Sequence, residues 1–211
     1  KILSDGGTGE PWKQTRLKWL NSAMGQNNDV IPPYTPIRQN ERTLSILGRN
    51  ILLNEEGLPQ QIQTLFTEEM TSYTDHPKNI LSAPFNFIVE KESGDAKWQK
   101  PHFKFTLTLP GKYEWESEKL SDDFTLTTKG VLESDGFASF QIEIIAKEDV
   151  DLKDIRLEIP FDKNSARYMM GLGQKGGLRP QNFDWKWEVA TKNQDGAWIG
   201  DVNAGMQFSL R

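Results

Sequence analysis

Acidic residues and tryptophans are interleaved near the end of the chain, an arrangement that glycoside hydrolysis can use. The acids are Asp184, Glu188, Asp195 and Asp201, and the tryptophans among them are Trp185, Trp187 and Trp198. Glycoside hydrolysis needs two carboxyl groups that face the same bond. However, the alternation over residues 184–188 puts Trp185 and Trp187 on one face of a strand. The charged residues Asp184, Lys186 and Glu188 then lie on the other face. This pattern favours solvated surface charges, so we predict no catalytic residue in the chain.

The same tryptophans have the chemistry of a sugar-binding surface. An indole ring can stack on the apolar face of a pyranose, while amide and guanidinium groups bond the hydroxyls. The residues predicted to bind carbohydrate are Trp185, Trp187, Trp198, Arg179 and Asn193. Packing in the core is the competing interpretation, because a β-sandwich commonly buries its tryptophans.

Residues 173–198 as a whole have the composition of a recognition edge. They begin in a glycine-rich loop, residues 171–180, which is long for a connection between strands and carries Lys175. Long ordered loops are frequently sites of binding or docking. The alternative is that the loop only covers an open end of the fold. A phosphate-binding loop is not predicted, because residues 171–177 lack the Gly-Lys-Ser/Thr ending.

Other catalytic and metal chemistries find little support in the sequence. The chain has no cysteine, which excludes disulfides, thiolate ligands and thiol nucleophiles. Its only histidines, His76 and His102, are 26 positions apart, and each adjoins a proline. Neither is near a Gly-x-Ser-x-Gly turn of the kind that presents a nucleophilic serine. We therefore predict no metal site and no cofactor, with His76 in a loop and both histidines on the surface or at strand edges.

The composition limits the partners that the chain can have. It has 211 residues, a net charge of -5 and 36% hydrophobic residues, which are enough for a real core. A mildly acidic chain without a basic stripe has no general attraction to nucleic acid. No apolar run reaches the roughly 18 residues of a membrane helix. We therefore expect neither nucleic-acid binding nor a membrane span.

Strands with a strict two-residue alternation dominate the pattern. The three clearest cover residues 103–109, 138–146 and 155–161, where apolar and polar residues take turns. One face of such a strand packs in a core and the other faces water, as in antiparallel sheets. The side chains predicted to be central in the core are Phe105, Phe140, Ile142, Leu157 and Ile159.

Weaker strand patterns, separated by tight turns, extend the same signal along the chain. They cover residues 44–47, 51–53, 60–66, 84–90, 112–120, 124–132, 166–171, 197–202 and 206–210. A dozen strands at roughly 8–12-residue spacing indicate an all-β fold with little helix, a large antiparallel β-sandwich or a supersandwich. We predict a single domain over residues 1–211, with residues 1–40 as an irregular N-terminal crossing, and a fragment of a larger multidomain protein.

Several segments in the chain are more distinctive than composition requires. They are residues 18–22, 33–36, 47–50, 57–62, 171–173, 184–187 and 193–200. Together, and in this order, they resemble the N-terminal β-sandwich region of bacterial, Bacteroidetes-type proteins related to glycoside hydrolase family 123. The resemblance implies a sandwich placed ahead of a separate catalytic barrel that carries the acid pair, in a secreted or periplasmic protein. No βα repeat occurs in the chain, so the barrel is not here.

The leading functional hypothesis is an accessory, non-catalytic domain of a glycoside hydrolase. Its partner would be the neighbouring catalytic domain of the same polypeptide, with a glycan as a second partner. A free-standing carbohydrate-binding module is the alternative, and an enzyme complete in itself, such as an epimerase or lyase, is a third hypothesis. A barrel of about 250 residues encoded next to this segment would distinguish the first hypothesis from the others.

Overall fold

The computed structural model describes residues 27–186, 188 and 196–210. Within them the chain forms fifteen β-strands and no helix, as the alternation predicts. The strands are β1 Arg38–Asn40, β2 Thr43–Ile46, β3 Arg49–Leu53, β4 Pro59–Phe66, β5 Tyr73–Asn79, β6 Asn86–Lys91, β7 Gly94–Asp95, β8 His102–Leu109, β9 Lys112–Leu120, β10 Phe124–Glu133, β11 Ala138–Ala146, β12 Leu152–Glu158, β13 Tyr168–Gly171, β14 Gly196–Gly200 and β15 Gly205–Ser209. The described part of the chain contains no helix with the length and apolar character of a membrane span.

The strands pair antiparallel in four sheets. The largest has the order β1-β2-β3-β4-β5, and the second has the order β11-β10-β9-β8. Two three-stranded sheets follow, β12-β6-β7 and β13-β14-β15. Every strand predicted from the sequence corresponds to one of these strands to within a few residues. The three additional strands are β1, the short β7 and β5, an edge strand that accommodates Pro77 because its outer side needs no ladder donor.

The five-stranded and four-stranded sheets face each other as a sandwich. Their shared cluster contains Leu44, Ile51 and Leu53 from one sheet and Trp115 and Leu132 from the other. Each sheet contributes alternate residues to this layer, because successive side chains of a strand point to opposite faces. The sheet pairing and the layered core confirm the all-β sandwich architecture.

Two further clusters extend the core toward the small sheets. One gathers Leu58, Ile80, Leu81, Phe85 and Ala204. The other joins Val89 and Ala96 to Phe124 at the start of β10. Phe140 of β11 packs against both the main cluster and the cluster around Leu81, so it links two parts of the core.

The turn between β3 and β4 is fixed to the inner face of β9. The indole Nε1 of Trp115 donates to the Gly57 carbonyl at 2.8 Å, and the Ser117 hydroxyl donates to the Glu55 carbonyl at 2.7 Å. Lys119, only 4% exposed, forms an ion pair with Glu56 at 2.7 Å. Three alternate residues of one strand thus hold three consecutive residues of a turn in the opposite sheet.

The predicted core residues are confirmed with one exception. Phe105, Phe140, Ile142 and Ile159 are partly buried and pack against the clusters. Leu157 is 39% exposed, so its assignment to the core was wrong. It pairs with Phe87 and therefore shares the inward face of the sheet, but β12 is the edge strand and no further strand covers it.

Candidate functional site

A row of three side chains crosses the sheet formed by β13, β14 and β15. Met170 pairs with Trp198, and Trp198 pairs with Gln207. Directly paired residues of antiparallel strands point to the same face, so these side chains form one continuous strip. Met170 is 54% exposed and Trp198 is half-buried, which leaves an accessible surface that is apolar at one end and polar at the other.

The Trp198 indole fits beside the hairpin because two neighbouring residues, Gly200 and Gly205, have no side chain. A Cβ placed on Gly200 would lie 2.4 Å from Cζ2 of the indole, and one on Gly205 would lie 3.0 Å from its Nε1. Both glycines flank the β14–β15 turn, and they pair with each other. The indole therefore lies along the bare backbone of the hairpin, which supports one side of the ring.

The glycine-rich loop folds back along the free edge of β13. The amide of Met169 donates to the Gly177 carbonyl at 3.0 Å, and the amide of Arg179 donates to the Arg167 carbonyl at 2.9 Å. Tyr168 forms an isolated bridge with Leu178 on the same edge. Residues 171–180 are thus a loop, as predicted, but a loop anchored by main-chain hydrogen bonds.

The first residues of this loop have an unusual backbone. Gly171, Leu172 and Gly173 follow one another with φ values of 104°, 47° and 86°. A positive φ is strained for leucine, which has a Cβ. The Leu172 amide donates to the Gly196 carbonyl at 3.0 Å, which holds the segment against β14. Gly171 cannot be replaced, since a Cβ there would lie 2.3 Å from that carbonyl oxygen.

The loop and the side-chain strip together border an open cavity of about 510 Å³. Its lining residues are Met170, Gly171, Leu172, Gly173, Gln174, Lys175, Gly196, Ala197, Trp198 and Gln207. They combine an apolar surface with two amides and one ammonium group. Among the described residues, no aspartate or glutamate lines this cavity.

Of the predicted carbohydrate-binding residues that the structure describes, Trp198, Trp185 and Arg179, only Trp198 lines the cavity. Trp185 is half-buried and is not part of the lining. The Arg179 guanidinium donates to the carbonyls of Ala166 at 2.9 Å and Pro180 at 3.1 Å, and so fastens the loop. Trp187 and Asn193 lie outside the described residues.

The acidic residues of the tail occupy surface positions or structural ion pairs. Asp184 and Glu188 are exposed, in agreement with the prediction that they are solvated. Asp201 forms an ion pair with Lys78 of β5 at 3.5 Å. Asp195 lies outside the described residues.

Both histidines are exposed on strands. His102 begins β8, and His76 lies within the edge strand β5 rather than in the loop that the sequence suggested, because an edge strand tolerates the adjoining proline. In the part of the chain that the structure describes, no group of histidine and acidic residues is arranged to hold a metal ion.

Sequence reasoning missed Met170, Leu172 and Gln207, which line the cavity but lie outside the predicted edge of residues 173–198. The pairing of Gln207 with Trp198 could have been found from the hairpin. Two apolar-alternating strands around the turn at residues 201–204 fix the register, and that register places Gln207 opposite Trp198. The backbone reversal at Leu172 has no such signal, because leucine seldom adopts a positive φ.

A second accessible surface lies along β12. Leu152, Ile155 and Leu157 are 42%, 41% and 39% exposed. Ile155 pairs with Val89, so it faces the same side of the sheet as a buried core residue. We call these three residues the β12 apolar edge. They leave the core open on this side of the described chain.

The opposite face of β12 carries a network of charges. Arg156 forms ion pairs with Glu90, Asp154 and Glu158, and Lys153 also pairs with Glu90. The hydrogen bond from Lys153 is the main reason that the pKa of Glu90 lies below its ordinary value. The same contact raises the pKa of Lys153. β12 is therefore an amphipathic edge strand.

Comparison with protein families gives a match over nearly all of the described fold. The model described as glycoside hydrolase 123, third domain, matches residues 37–211. The chain belongs to the glycoside hydrolase 123 family. All fifteen strands of this glycoside hydrolase 123 domain, and its cavity, lie inside the matched range. A comparison with curated proteins gave no match.

The family match confirms the resemblance to glycoside hydrolase family 123, while the Bacteroidetes origin and the N-terminal placement stay predictions. The description numbers the domain third, so proteins of the glycoside hydrolase 123 family contain other domains beside this one. The placement of this domain ahead of a catalytic barrel stays a prediction.

Proposed function

We propose that this glycoside hydrolase 123 domain is a non-catalytic, accessory domain that supports glycoside hydrolysis by a catalytic domain elsewhere in the same polypeptide. One observation carries the proposal. The cavity of about 510 Å³ is lined by glutamines, a lysine and apolar groups, and by no carboxyl group of the described residues. Most glycoside hydrolases use a pair of carboxyl groups that flank the scissile bond, roughly 5–9.5 Å apart.

The positions of the acids elsewhere support the same function. Glu90, Asp154 and Glu158 surround Arg156 on the outer face of β12. The hydrogen bond from Lys153 lowers the pKa of Glu90 and so favours its charged form, whereas a general acid must retain a proton near neutral pH. Glu90 is therefore suited to a surface ion pair rather than to proton transfer.

The experiment that tests this proposal is an assay of hydrolysis. The 211-residue chain and a longer family protein that contains it are incubated with nitrophenyl glycosides, including an N-acetylhexosaminide. We expect release of nitrophenol only with the longer protein. Release by the 211-residue chain that is lost in Asp184→Asn or Glu188→Gln would contradict the proposal, because it would place the reaction on this domain.

We also propose that the β12 apolar edge is the surface that contacts the catalytic domain. The family description implies further domains in the same polypeptide, which supplies a covalently linked partner. The edge continues the inward face of its own sheet, and a partner that covered it would bury a contiguous row of leucine and isoleucine. Interfaces between domains of one chain are commonly built from such surfaces.

Hydrogen exchange on the 211-residue chain and on the longer protein tests this contact. We expect residues 152–157 to become protected only in the longer protein, and Ile155→Glu to remove that protection. Ile145→Glu is the matched control, since Ile145 is 54% exposed on the edge strand of another sheet. Equal protection in both proteins, or protection that rises with concentration of the 211-residue chain, would exclude the catalytic domain as the partner.

A free-standing carbohydrate-binding module is the second candidate function. The exposed strip around Trp198 favours it, because an indole beside amides is a common sugar-binding surface. The reading frame that encodes the chain distinguishes the two candidates. A catalytic domain encoded in the same frame supports the accessory role, and its absence supports the free-standing module.

A further inference from the structure

We propose that the cavity between the glycine-rich loop and the β13–β15 sheet binds one pyranose ring of a glycan. Trp198 would stack on the C–H face of the ring, and Gln174, Lys175 and Gln207 would bond its hydroxyls. The inference concerns binding only, so it stands whether or not the domain has the accessory role proposed above.

The Trp198 side chain is held in place by its neighbours. The indole lies against the bare backbone of Gly200 and Gly205, and its cross-strand neighbours are Met170 and Gln207. A ring held in this way loses little conformational freedom when a ligand stacks on it. Because Trp198 is only half-buried, part of its surface remains available.

The remaining lining residues match the chemistry of a pyranose ring. Met170 and Leu172 extend the apolar surface, while the two glutamine amides and the Lys175 ammonium supply donors and acceptors. A pyranose has an apolar C–H face and a rim of hydroxyls, which matches this division. The volume of about 510 Å³ lies within the range of roughly 300–1,000 Å³ that is typical of small-molecule sites.

The Lys175 ammonium group gives the cavity lining a positive charge. Lys175 is exposed, and it makes no ion pair with any residue that the structure describes. No carboxylate of the described residues lines the cavity. The ammonium group could bond either a neutral hydroxyl or the carboxylate of a uronic acid. Neutral and acidic probes distinguish these two cases.

The wall of the cavity contains a strained residue. Leu172 keeps a φ of 47° between two glycines that also have positive φ. A left-handed leucine is strained by its Cβ and persists only where its surroundings impose it. Such residues cluster at ligand sites, and here the strained residue lines the cavity itself.

Binding is measured by isothermal titration of the 211-residue chain with lactose, N,N′-diacetylchitobiose and trigalacturonate as probes. We expect at least one probe to bind at millimolar concentration or below. Trp198→Ala should weaken that binding by about tenfold or more, the equivalent of one lost stacking contact. Trp98→Ala is the matched control, because Trp98 is also half-buried but does not line the cavity.

Two milder substitutions keep the test decisive if Trp198→Ala fails to fold. Trp198→Phe should weaken binding several-fold while preserving the circular dichroism melt. Gln207→Ala should do the same, whereas Gln141→Ala, an exposed glutamine on β11, should have no effect. Binding of trigalacturonate alone, abolished in Lys175→Ala, would identify the acidic form of the ligand.

Two results would overturn the proposal. One is that none of the three probes binds the folded chain at millimolar concentration. The other is that a probe binds equally well to the wild type, Trp198→Phe and Gln207→Ala, because the bound sugar would then lie elsewhere on the domain.

Discussion

Gly130 shows how a single missing side chain shapes the core. It pairs with Trp115, and a Cβ on Gly130 would lie 2.1 Å from Cε2 of the indole. The ring is also fixed by its hydrogen bond to Gly57, so it cannot easily move aside. We expect Gly130→Ala to lower the free energy of unfolding by about 1–3 kcal/mol. Urea denaturation measures the change.

The neighbouring residue provides the control for this substitution. Lys129 lies on the same strand but is exposed, so Lys129→Ala should change the free energy of unfolding by less than about 0.5 kcal/mol. Equal stability of Gly130→Ala and the wild type would mean that the indole does not cover the glycine.

Among the described residues, Lys119 is the most deeply buried charged side chain. It is 4% exposed, pairs with Glu56 at 2.7 Å and lies 4.7 Å from the centre of the Trp98 ring. Lys119→Met would leave the Glu56 carboxylate unpaired in a partly buried site. We expect a loss of about 1–3 kcal/mol in the free energy of unfolding, measured by thermal or urea denaturation.

A double substitution separates the ion pair from the packing. Adding Glu56→Gln to Lys119→Met should restore part of the stability, because the unpaired charge is removed. Lys104→Met is the matched control, since Lys104 pairs with Glu116 at 3.5 Å but is 56% exposed. It should cost less than about 1 kcal/mol. Equal losses in the free energy of unfolding for Lys104→Met and Lys119→Met would show that burial of Lys119 does not strengthen the effect of its ion pair on stability.

Strand elements were the part of the fold that the sequence predicted best. β8 and β11 alternate so regularly that their faces and approximate bounds follow from period two alone. β12 has the same regular alternation, yet Ile155 and Leu157 are exposed. Alternation states which side chains share a face, but whether another element covers that face depends on which strand lies at an edge. That information is tertiary and is absent from a local pattern.

This difference between strands can be measured. Phe140 packs against two core clusters, so Phe140→Ala should cost about 3–5 kcal/mol in the free energy of unfolding. Leu157 is 39% exposed, and Leu157→Ala should cost only about 1 kcal/mol, mostly from lost transfer to the interior. Denaturant titration of both variants gives the comparison. A larger loss for Leu157→Ala would place it back in the core.

The charged face of β12 makes stability depend on pH through Glu90. Its pKa is lowered from the ordinary value of 4.5, first by the hydrogen bond from Lys153. A carboxyl group with a lower pKa in the folded state stabilises the fold above its unfolded pKa and loses that effect as the pH falls through its folded pKa. Glu90→Gln should therefore be less stable than the wild type at pH 7.

The measurement is the urea midpoint of both proteins at pH 7 and pH 3. We expect the difference between them to shrink at pH 3, because that pH lies below the ordinary pKa of 4.5 and part of the stabilisation by charged Glu90 is lost there. Glu143→Gln is the control, because Glu143 is exposed on β11 and makes no ion pair within the described residues. A difference in urea midpoint that stays constant between the two pH values would show that ionisation of Glu90 does not affect the stability of the fold.

At the scale of the whole molecule, the β14–β15 turn joins the cavity-bearing sheet to the five-stranded sheet. The Asn203 amide donates to the Phe66 carbonyl at 2.7 Å, and its oxygen accepts from Lys78 at 3.2 Å. Lys78 also pairs with Asp201 at 3.5 Å. We expect Asn203→Ala to speed hydrogen exchange in residues 196–209 and leave β9 and β10 unchanged, because both hydrogen bonds of the Asn203 side chain lie at this junction.

Gln207→Ala is the control for this exchange experiment, since Gln207 lies on the same hairpin but takes no part in the junction. Faster exchange throughout β9 and β10 in Asn203→Ala would show instead that the sheets unfold as one unit. This junction was invisible to sequence reasoning, because its partners are up to 137 residues apart and no local pattern relates them.

The attachment of the β3–β4 turn to β9 has a consequence during protein synthesis. Trp115 and Ser117 follow the residues that they hold by 58 and 62 positions. At roughly 5–20 residues per second, the ribosome needs about 3–12 s to supply them. During that interval the emerging chain has Ile51 and Leu53 but lacks the strand that covers them. Their apolar surface is then exposed and available to a holding chaperone until β9 emerges.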